Sequence, residues 1–313
     1  MVTPYTTVET QHEDMVHDSQ FDYYAKKLAT CSSDRTIKIF DVNGGFYHNT
    51  ATLTCHDGPV WQVAWAHPKY SVLLASCSYD GSVVIHREAP ANTWTKIFEH
   101  KKHNLSVNSI AWAPHELGLI LACASSDGKI SIIEYKGDKW NCKIITNDTL
   151  GCNSVSWAPY SAVGSILEDG TPVYRLATGS CDNSVRIWKC IGNIELGNWE
   201  EETKSASPHS DWVRDVAWAP NTALPYNLIA SCSEDRTVYI WKQSQANGVW
   251  VPTLMKSFDA PVWRVSWSIT GSVLAVSTGD HKVSLWKQSV DENWVQISSV
   301  DEDNISNEFT APR

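Results

Sequence analysis

Positive charge is scarce in this chain: 25 lysines and arginines stand against 35 aspartates and glutamates in 313 residues, a formal net charge of −10. Nucleic acid and anionic lipid both attract a positive field, so general affinity for either is not expected, and any membrane association would be indirect. There is no run of 18 apolar residues, so no membrane-spanning helix is expected. The opening segment MVTPYTTVETQHEDM has neither the basic flank nor the apolar core of a secretory signal. None of the nine cysteines forms a C-x-x-C pair, which removes zinc ribbons and thioredoxin-type chemistry from consideration. Cys31, Cys77 and Cys232 each precede a turn aspartate by three residues within a strand pattern, as small buried apolar residues do. These features together predict a soluble intracellular protein with reduced thiols. Three glycosylation-type sequons, at Asn104, Asn147 and Asn304, then read as chance matches. No glycine-rich phosphate loop is present. His12-Glu13 with His17 misses the metalloprotease spacing by one residue, and lies in a strand-rich context, so no metal site is expected.

What is abundant is tryptophan, 16 residues. The stretch from His209 to Trp241 organises the rest. HSDWVRDVAWAP reads as one strand, with Val213, Asp215 and Ala217 on one face and Arg214, Val216 and Trp218 on the other. IASCS is a second strand and TVYIW a third, joined by the polar turn Glu234-Asp235-Arg236. The turn aspartate recurs at Asp34, Asp80, Asp127, Asp182, Asp235 and Asp280, with gaps of 46, 47, 55, 53 and 45 residues. Six residues after each stand Phe40, His86, Ile133, Trp188, Trp241 and Trp286. The first strand of each unit ends in Phe21, Trp65, Trp112, Trp157, Trp218 or Trp267, preceded nine residues earlier by His12, His56, His103, Asp148, His209 or Phe258. A fourth strand follows a polar turn at Trp94, Trp140, Trp199, Trp250 and Trp294, with Phe46-Tyr47 in the first unit. Six units of this period predict an all-β, six-bladed β-propeller of the WD-repeat type. It would fill residues 1–300, with blade units ending near 55, 102, 147, 208, 257 and 300, followed by a disordered acidic tail over 301–313.

Blades packed face to face bury both faces of their inner strands, which accounts for runs such as YSVLLASCS and LGLILACASS. The resemblance to WD repeats implies a hydrogen-bonded set of His, Ser or Thr, Asp and Trp in each blade, complete in blade five as His209, Ser231, Asp235 and Trp241. Because that polar grouping recurs in blade after blade, it reads as packing and not as a hydrolase triad; no catalytic residue and no cofactor are expected. The segment Tyr160–Tyr174 is an insertion in blade four and reads as a flexible surface loop open to partner contact.

DYYAKKLATCSSDRTIKIFDV, GPVWQVAWAHPKY, SVNSIAWAPHELGLILACASSDGKIS and VSWSITGSVLAVSTGDHKVSLWK carry a closer resemblance. They resemble the small propeller subunit shared by the COPII outer coat and the nuclear-pore Y-complex, from about His12 to Trp294. Departures are His86 in place of Trp, Asp148 in place of His, with local loosening of blade four implied, and STGD at Ser277 to Asp280 in place of SGGD. The resemblance implies a non-catalytic scaffold whose propeller stays open and is completed in trans by strands of an α-solenoid partner. Those partners would be the large subunit of the COPII outer coat and a nucleoporin of the Y-complex, with a nutrient-sensing complex upstream of TOR as a further setting. The implied locations are the cytoplasmic face of the endoplasmic reticulum, COPII vesicles and the nuclear envelope. Six units suit a closed ring as well as an open one. The last unit has its own fourth strand, WVQISSV, leaving no vacancy for Val2–Val8 and favouring an open ring. The expected partner edge is Met15, Val16, Phe21 and Tyr23 on blade one, and Val262, Trp263, Val265 and Trp294 on blade six. Two other readings are a closed-ring adaptor binding peptides through Trp61, Trp212 and Trp263, and an enzyme with a pocket of polar residues outside the repeat. No such polar set is visible in the sequence.

Overall fold

The computed structural model describes residues 6–90, 92–146, 150–195, 197–202, 207–220 and 225–301. Asp148, the sequons at Asn147 and Asn304, the segment 2–5 and the tail beyond residue 301 lie outside the described residues. Among the described residues twenty-four strands form six four-stranded antiparallel sheets in chain order. The first is β1 (Val16–Phe21), β2 (Lys27–Ser32), β3 (Ile37–Asn43) and β4 (Phe46–Leu53); the second is β5 (Val60–Trp65), β6 (Leu73–Ser78), β7 (Val83–Ala89) and β8 (Thr93–His100). The third is β9 (Val107–Trp112), β10 (Leu119–Ser125), β11 (Lys129–Lys136) and β12 (Lys139–Thr146); the fourth is β13 (Cys152–Trp157), β14 (Val173–Ser180), β15 (Val185–Ile191) and the short β16 (Glu200–Glu201). The fifth is β17 (Val213–Trp218), β18 (Asn227–Ser233), β19 (Thr237–Gln243) and β20 (Val251–Ser257); the sixth is β21 (Val262–Trp267), β22 (Val273–Thr278), β23 (Lys282–Gln288) and β24 (Trp294–Asp301). This is an all-β, six-bladed WD-repeat propeller, one sheet to a blade. A single 3-10 turn at Pro68–Tyr70 is the one helical element among the described residues.

The chain divides into two compact units, Thr6–Val155 and the residues from Ser156 on. In the first unit one apolar core joins sheets one and two through Ala29, Ile37, Ile39, Val63 and Leu74, and another joins sheets two and three. In the second, sheets four and five share a core of Ala177, Ile187, Val213, Val216 and Trp241, and sheets five and six share one of Ala230, Val238, Val265, Leu274 and Trp286. Strands β6, β10, β14 and β18 are buried at every residue, which explains their unbroken apolar and small-residue composition.

The first strand of a blade carries a β-bulge. The register slips between Val60 and Gln62, between Val213 and Asp215, and between Val262 and Arg264, with the same irregularity at Val16/Asp18. One unpaired residue shifts the alternation of faces by one. The faces expected for β17 are therefore corrected: Val213 lies with Val216 and Trp218 against sheet four, while Ala217 faces sheet six. The same bulge corrects two expected edge residues. Val262 and Val265 are both buried against sheet five, at 0% and 4% exposure, and are not on an open flank.

The Tyr160–Tyr174 insertion is also corrected. Val173 and Tyr174 already belong to β14, and the segment before them is pinned: Val163 N–H donates to Asn227 Oδ1 at 3.0 Å, and the Val163 carbonyl accepts from Asn227 Nδ2 and Arg175 Nη1. Polar side chains hold it where a free loop was expected.

The bulge assignment makes a direct test. Val265→Ala is expected to cost about 2 kcal/mol in urea denaturation through loss of buried methyl groups. Val283→Ala, on the half-exposed opposite face, should cost less than about 0.5 kcal/mol.

Candidate partner-binding interface

The polar set of blade five is a closed relay. Trp241 Nε1 donates to Ser231 Oγ at 2.9 Å, Ser231 Oγ meets His209 Nε2 at 2.8 Å, and His209 Nδ1 meets Asp235 Oδ2 at 3.0 Å. Read in that order every donor finds an acceptor, which makes the burial of these groups tolerable. Asp235 also accepts from the backbone N–H groups of Ser210 and Thr237. Although burial opposes ionisation, these hydrogen bonds hold its carboxyl well below the usual carboxylate range. Ser231 is fully buried, so no substrate can reach its hydroxyl.

The other blades vary the set. His12 bridges Asp34 at 2.7 Å and Thr30 at 2.9 Å, so blade one keeps its polar members although Phe40 replaces the tryptophan. In blade two His56 meets Ser76 and Ser82, while His86, in the tryptophan position, is buried with Nδ1 unpaired. Blade three pairs His103 with Asp127 and Ser131. Blade four keeps Trp188 on Thr178 at 3.1 Å, and its Asp182 is met by Arg186 at 2.7 Å.

A second pattern joins blades one to two, two to three and five to six. The tryptophan ending a first strand reaches back with its ring N–H: Trp65 to the Gln20 carbonyl, Trp112 to the Ala64 carbonyl and Trp267 to the Ala217 carbonyl, at 2.9, 3.0 and 3.0 Å. Three residues before that tryptophan, a side chain reaches forward to accept a backbone N–H of the next blade. Asp18 takes Val63, Gln62 takes Ile110 and Asp215 takes Val265, at 3.2, 2.8 and 3.1 Å. Blades four and five are joined differently: Trp218 Nε1 and Ser154 Oγ are buried without partners, and the Trp218 backbone N–H donates to Ser156 Oγ at 3.0 Å. Both ends of the series also depart from the pattern. Blade one has Phe21 where the donor tryptophan belongs, and blade six has Arg264, a donor without lone pairs, where the acceptor belongs.

The expected edge residues divide accordingly. On blade one, Met15, Val16, Phe21 and Tyr23 are exposed, Phe21 at 50%. Val16 and Phe21 lie on the face of β1 turned away from sheet two, since Asp18 reaches toward that sheet, Gln20 bonds Asp18 on the same face, and the bulge places Val16 with Phe21. Tyr23 packs its ring edge against His67 at 5.0 Å. On blade six, Trp263 is about half exposed, and Trp294 is half-buried against Trp267 within the core shared with sheet five. The far face of sheet six holds residues that the sequence reading missed. Burial along β22 alternates, with Leu274 and Val276 buried but Val273, Ala275 and Ser277 half-buried, and across the ladder Val283 and Leu285 continue that face. Arg264 was visible in the aligned repeats, but its meaning depends on knowing what that position accepts.

Of the three tryptophans outside the repeat positions, Trp212 and Trp263 flank the guanidinium of Arg214 at 5.3 and 4.8 Å, and Arg214 also pairs with Glu234. Trp61 donates to Ser106 and meets the ring of His17 edge-on.

The WD domain, G-beta repeat model matches residues 3–41, 48–87, 141–189, 201–242 and 252–287, and the model of the anaphase-promoting complex subunit 4 WD40 domain matches 69–159. The chain is 54% identical to the SEC13 homolog of Homo sapiens, over 96% of this chain and 94% of that protein. It is 52% identical to the SEC13 homolog of Dictyostelium discoideum, over 94% and 98%. Against protein transport protein SEC13 of Mycosarcoma maydis the identity is 45%, over 94% of each. The chain belongs to the SEC13 family.

Within this member of the family, His86 gives a pH test. Burial, with the charges of His56 and Lys96 added, pushes its pKa from 6.5 down to about 4. A histidine depressed in the fold contributes stability above its unfolded pKa and loses it as pH falls from about 6.5 toward 4. His86→Phe, which copies Phe40 of blade one, should shrink the stability lost between pH 7 and pH 4.5 by about 2 kcal/mol in urea denaturation. An unchanged pH dependence would contradict the burial of a neutral imidazole.

Proposed function

We propose that the chain is a non-catalytic scaffold subunit that accepts an insertion blade from an α-solenoid partner. The observation that carries this is the far face of sheet six. Its central strand is buried on one side only, while β6, β10, β14 and β18 are buried on both. Val273, Ala275, Val283 and Leu285 on that face are apolar and partly exposed, as suits residues awaiting a covering sheet. Arg264 in the acceptor position supports a next blade of different sequence from the six here. On blade one, the exposed Val16 and Phe21, with no ring N–H at the donor position, support a neighbour of equally foreign sequence. Strand addition from a partner would remove these apolar faces from water and give unpaired backbone groups a ladder.

The relatives' names speak of protein transport. With the resemblance, this supports a role in the rods of the COPII outer coat, in ER-to-Golgi traffic, and in the nuclear-pore Y-complex. The partners would be the α-solenoid subunits of those assemblies, with a nutrient-sensing complex upstream of TOR as a third setting. The chain would act at the cytoplasmic face of the endoplasmic reticulum, on COPII vesicles and at the nuclear envelope. A net charge of −10 suits contact with the membrane through partners. A second reading, peptide binding at the Trp212–Arg214–Trp263 sandwich, is favoured by rings left 44% and 47% exposed.

The test is thermal unfolding of the full chain with and without the three-strand insertion segment of an α-solenoid coat subunit. At a hundredfold excess over Kd the segment should add about 2.7 kcal/mol, a rise of roughly 4 °C. Val283→Asp and Phe21→Asp should each weaken association tenfold or more while leaving the melting of the chain alone unchanged. A chain indifferent to the segment would sink the scaffold reading and favour peptide binding at the tryptophan sandwich.

A further inference from the structure

A cavity of about 320 Å³ opens in the unit that begins at Ser156, walled by the blade-four insertion, sheet four and the turn at Ala246-Asn247. Its walls are built. Gly164, at φ +81°, comes so close that a Cβ there would lie 2.9 Å from Ala246 Cβ and 3.1 Å from Arg175 Nη1. Arg175 is 2% exposed; its Nη2 donates to Glu202 at 3.0 Å and to the Ala246 carbonyl at 2.6 Å, and its Nε has no partner. Glu202 accepts in turn from Gln243, whose amide oxygen accepts from Asn227, the residue that clamps Val163. The insertion is thus fixed by a buried polar network reaching into sheet five, and the cavity exists before anything binds.

Its chemistry is uneven. Arg175 and Lys189 are direct cross-strand partners on β14 and β15, an unfavourable pairing of like charges. Glu202 neutralises Arg175, but Lys189 makes no ion pair among the described residues. Glu200, opposite Lys189 on β16, and Glu168, on the cavity wall, both stand exposed to solvent. Around the mouth Ile166, Leu167 and Ile191 are 45%, 41% and 48% exposed, a cluster of apolar side chains beside an unpaired ammonium.

We propose that this cavity docks an extended segment of a partner protein in which an apolar side chain sits beside an acidic one. The apolar group enters between Ile166, Leu167 and Ile191, and the carboxylate pairs with Lys189. The volume is at the small end of ligand pockets, which admits one or two side chains and not a helix. A preformed cavity with an apolar mouth and one half-buried lysine concentrates binding energy in few contacts. The site uses no residue of the proposed partner-blade faces.

The test is selection of a random dodecapeptide display library on the immobilised full chain, followed by fluorescence anisotropy of the enriched peptides. Enriched sequences should place Asp or Glu next to Leu, Ile, Met or Phe. Their affinity should fall at least tenfold on Ile166→Asp and on Lys189→Glu, with unchanged melting of each variant as the control. Lys189→Glu should also gain affinity for the same peptides with Lys in place of the acid. If selection enriches nothing, or the enriched peptides bind both variants as well as the parent, the proposal is wrong.

Discussion

Three junctions, blades one to two, two to three and five to six, depend on a reciprocal stitch between their first strands. A ring N–H points back to the preceding blade's carbonyl, and a side-chain acceptor points forward to the following blade's N–H. Each such bond contributes only about 1 kcal/mol net, but leaving one partner buried and unpaired costs about 1–3 kcal/mol. A blade is therefore stable where it is because its neighbours are there. The β-bulge makes the stitch possible, since it turns Asp18, Gln62 and Asp215 toward the next sheet, while Val60 and Val63 around Gln62 and Val213 and Val216 around Asp215 stay in the core on the other side. Phe21 stands where the backward donor of the first blade would be and Arg264 where the forward acceptor of the sixth would be.

The His, Ser or Thr, Asp and Trp sets work one level down, within blades. They tie the first strand and the turn aspartate to the inner strands and give the backbone N–H groups at the turn a carboxylate. The sets tolerate substitution because they are modular: blade one loses its tryptophan and keeps the rest, and blade two keeps His56 and Ser76 with an imidazole in the tryptophan's place.

Much of this was legible in the sequence because it repeats. A fixed spacing of Asp, Trp and His can be aligned without coordinates, and it carried the strand order and most of the tryptophans to their places. The bulge was not legible, since an extra residue in a strand leaves no compositional mark, and it put Val213 on the face of Val216 and Trp218 and buried Val262 together with Val265. The half-exposed face of sheet six was hidden for a related reason: VLAVST has the same composition as inner strands buried on both sides. The network around Arg175 was out of reach because Val163, Glu202, Asn227 and Ala246 meet it from distant parts of the chain and belong to no repeat position.

The most direct measurement of the central claim is amide hydrogen exchange of the full chain, free and bound to its α-solenoid partner. If foreign strands complete the propeller, binding should slow exchange in Val16–Phe21 and Val273–Ser284 by tenfold or more, with β6, β10, β14 and β18 already protected in the free chain. Protection confined to Trp212, Arg214 and Trp263 and their neighbours, with the faces of sheets one and six unchanged, would contradict the account.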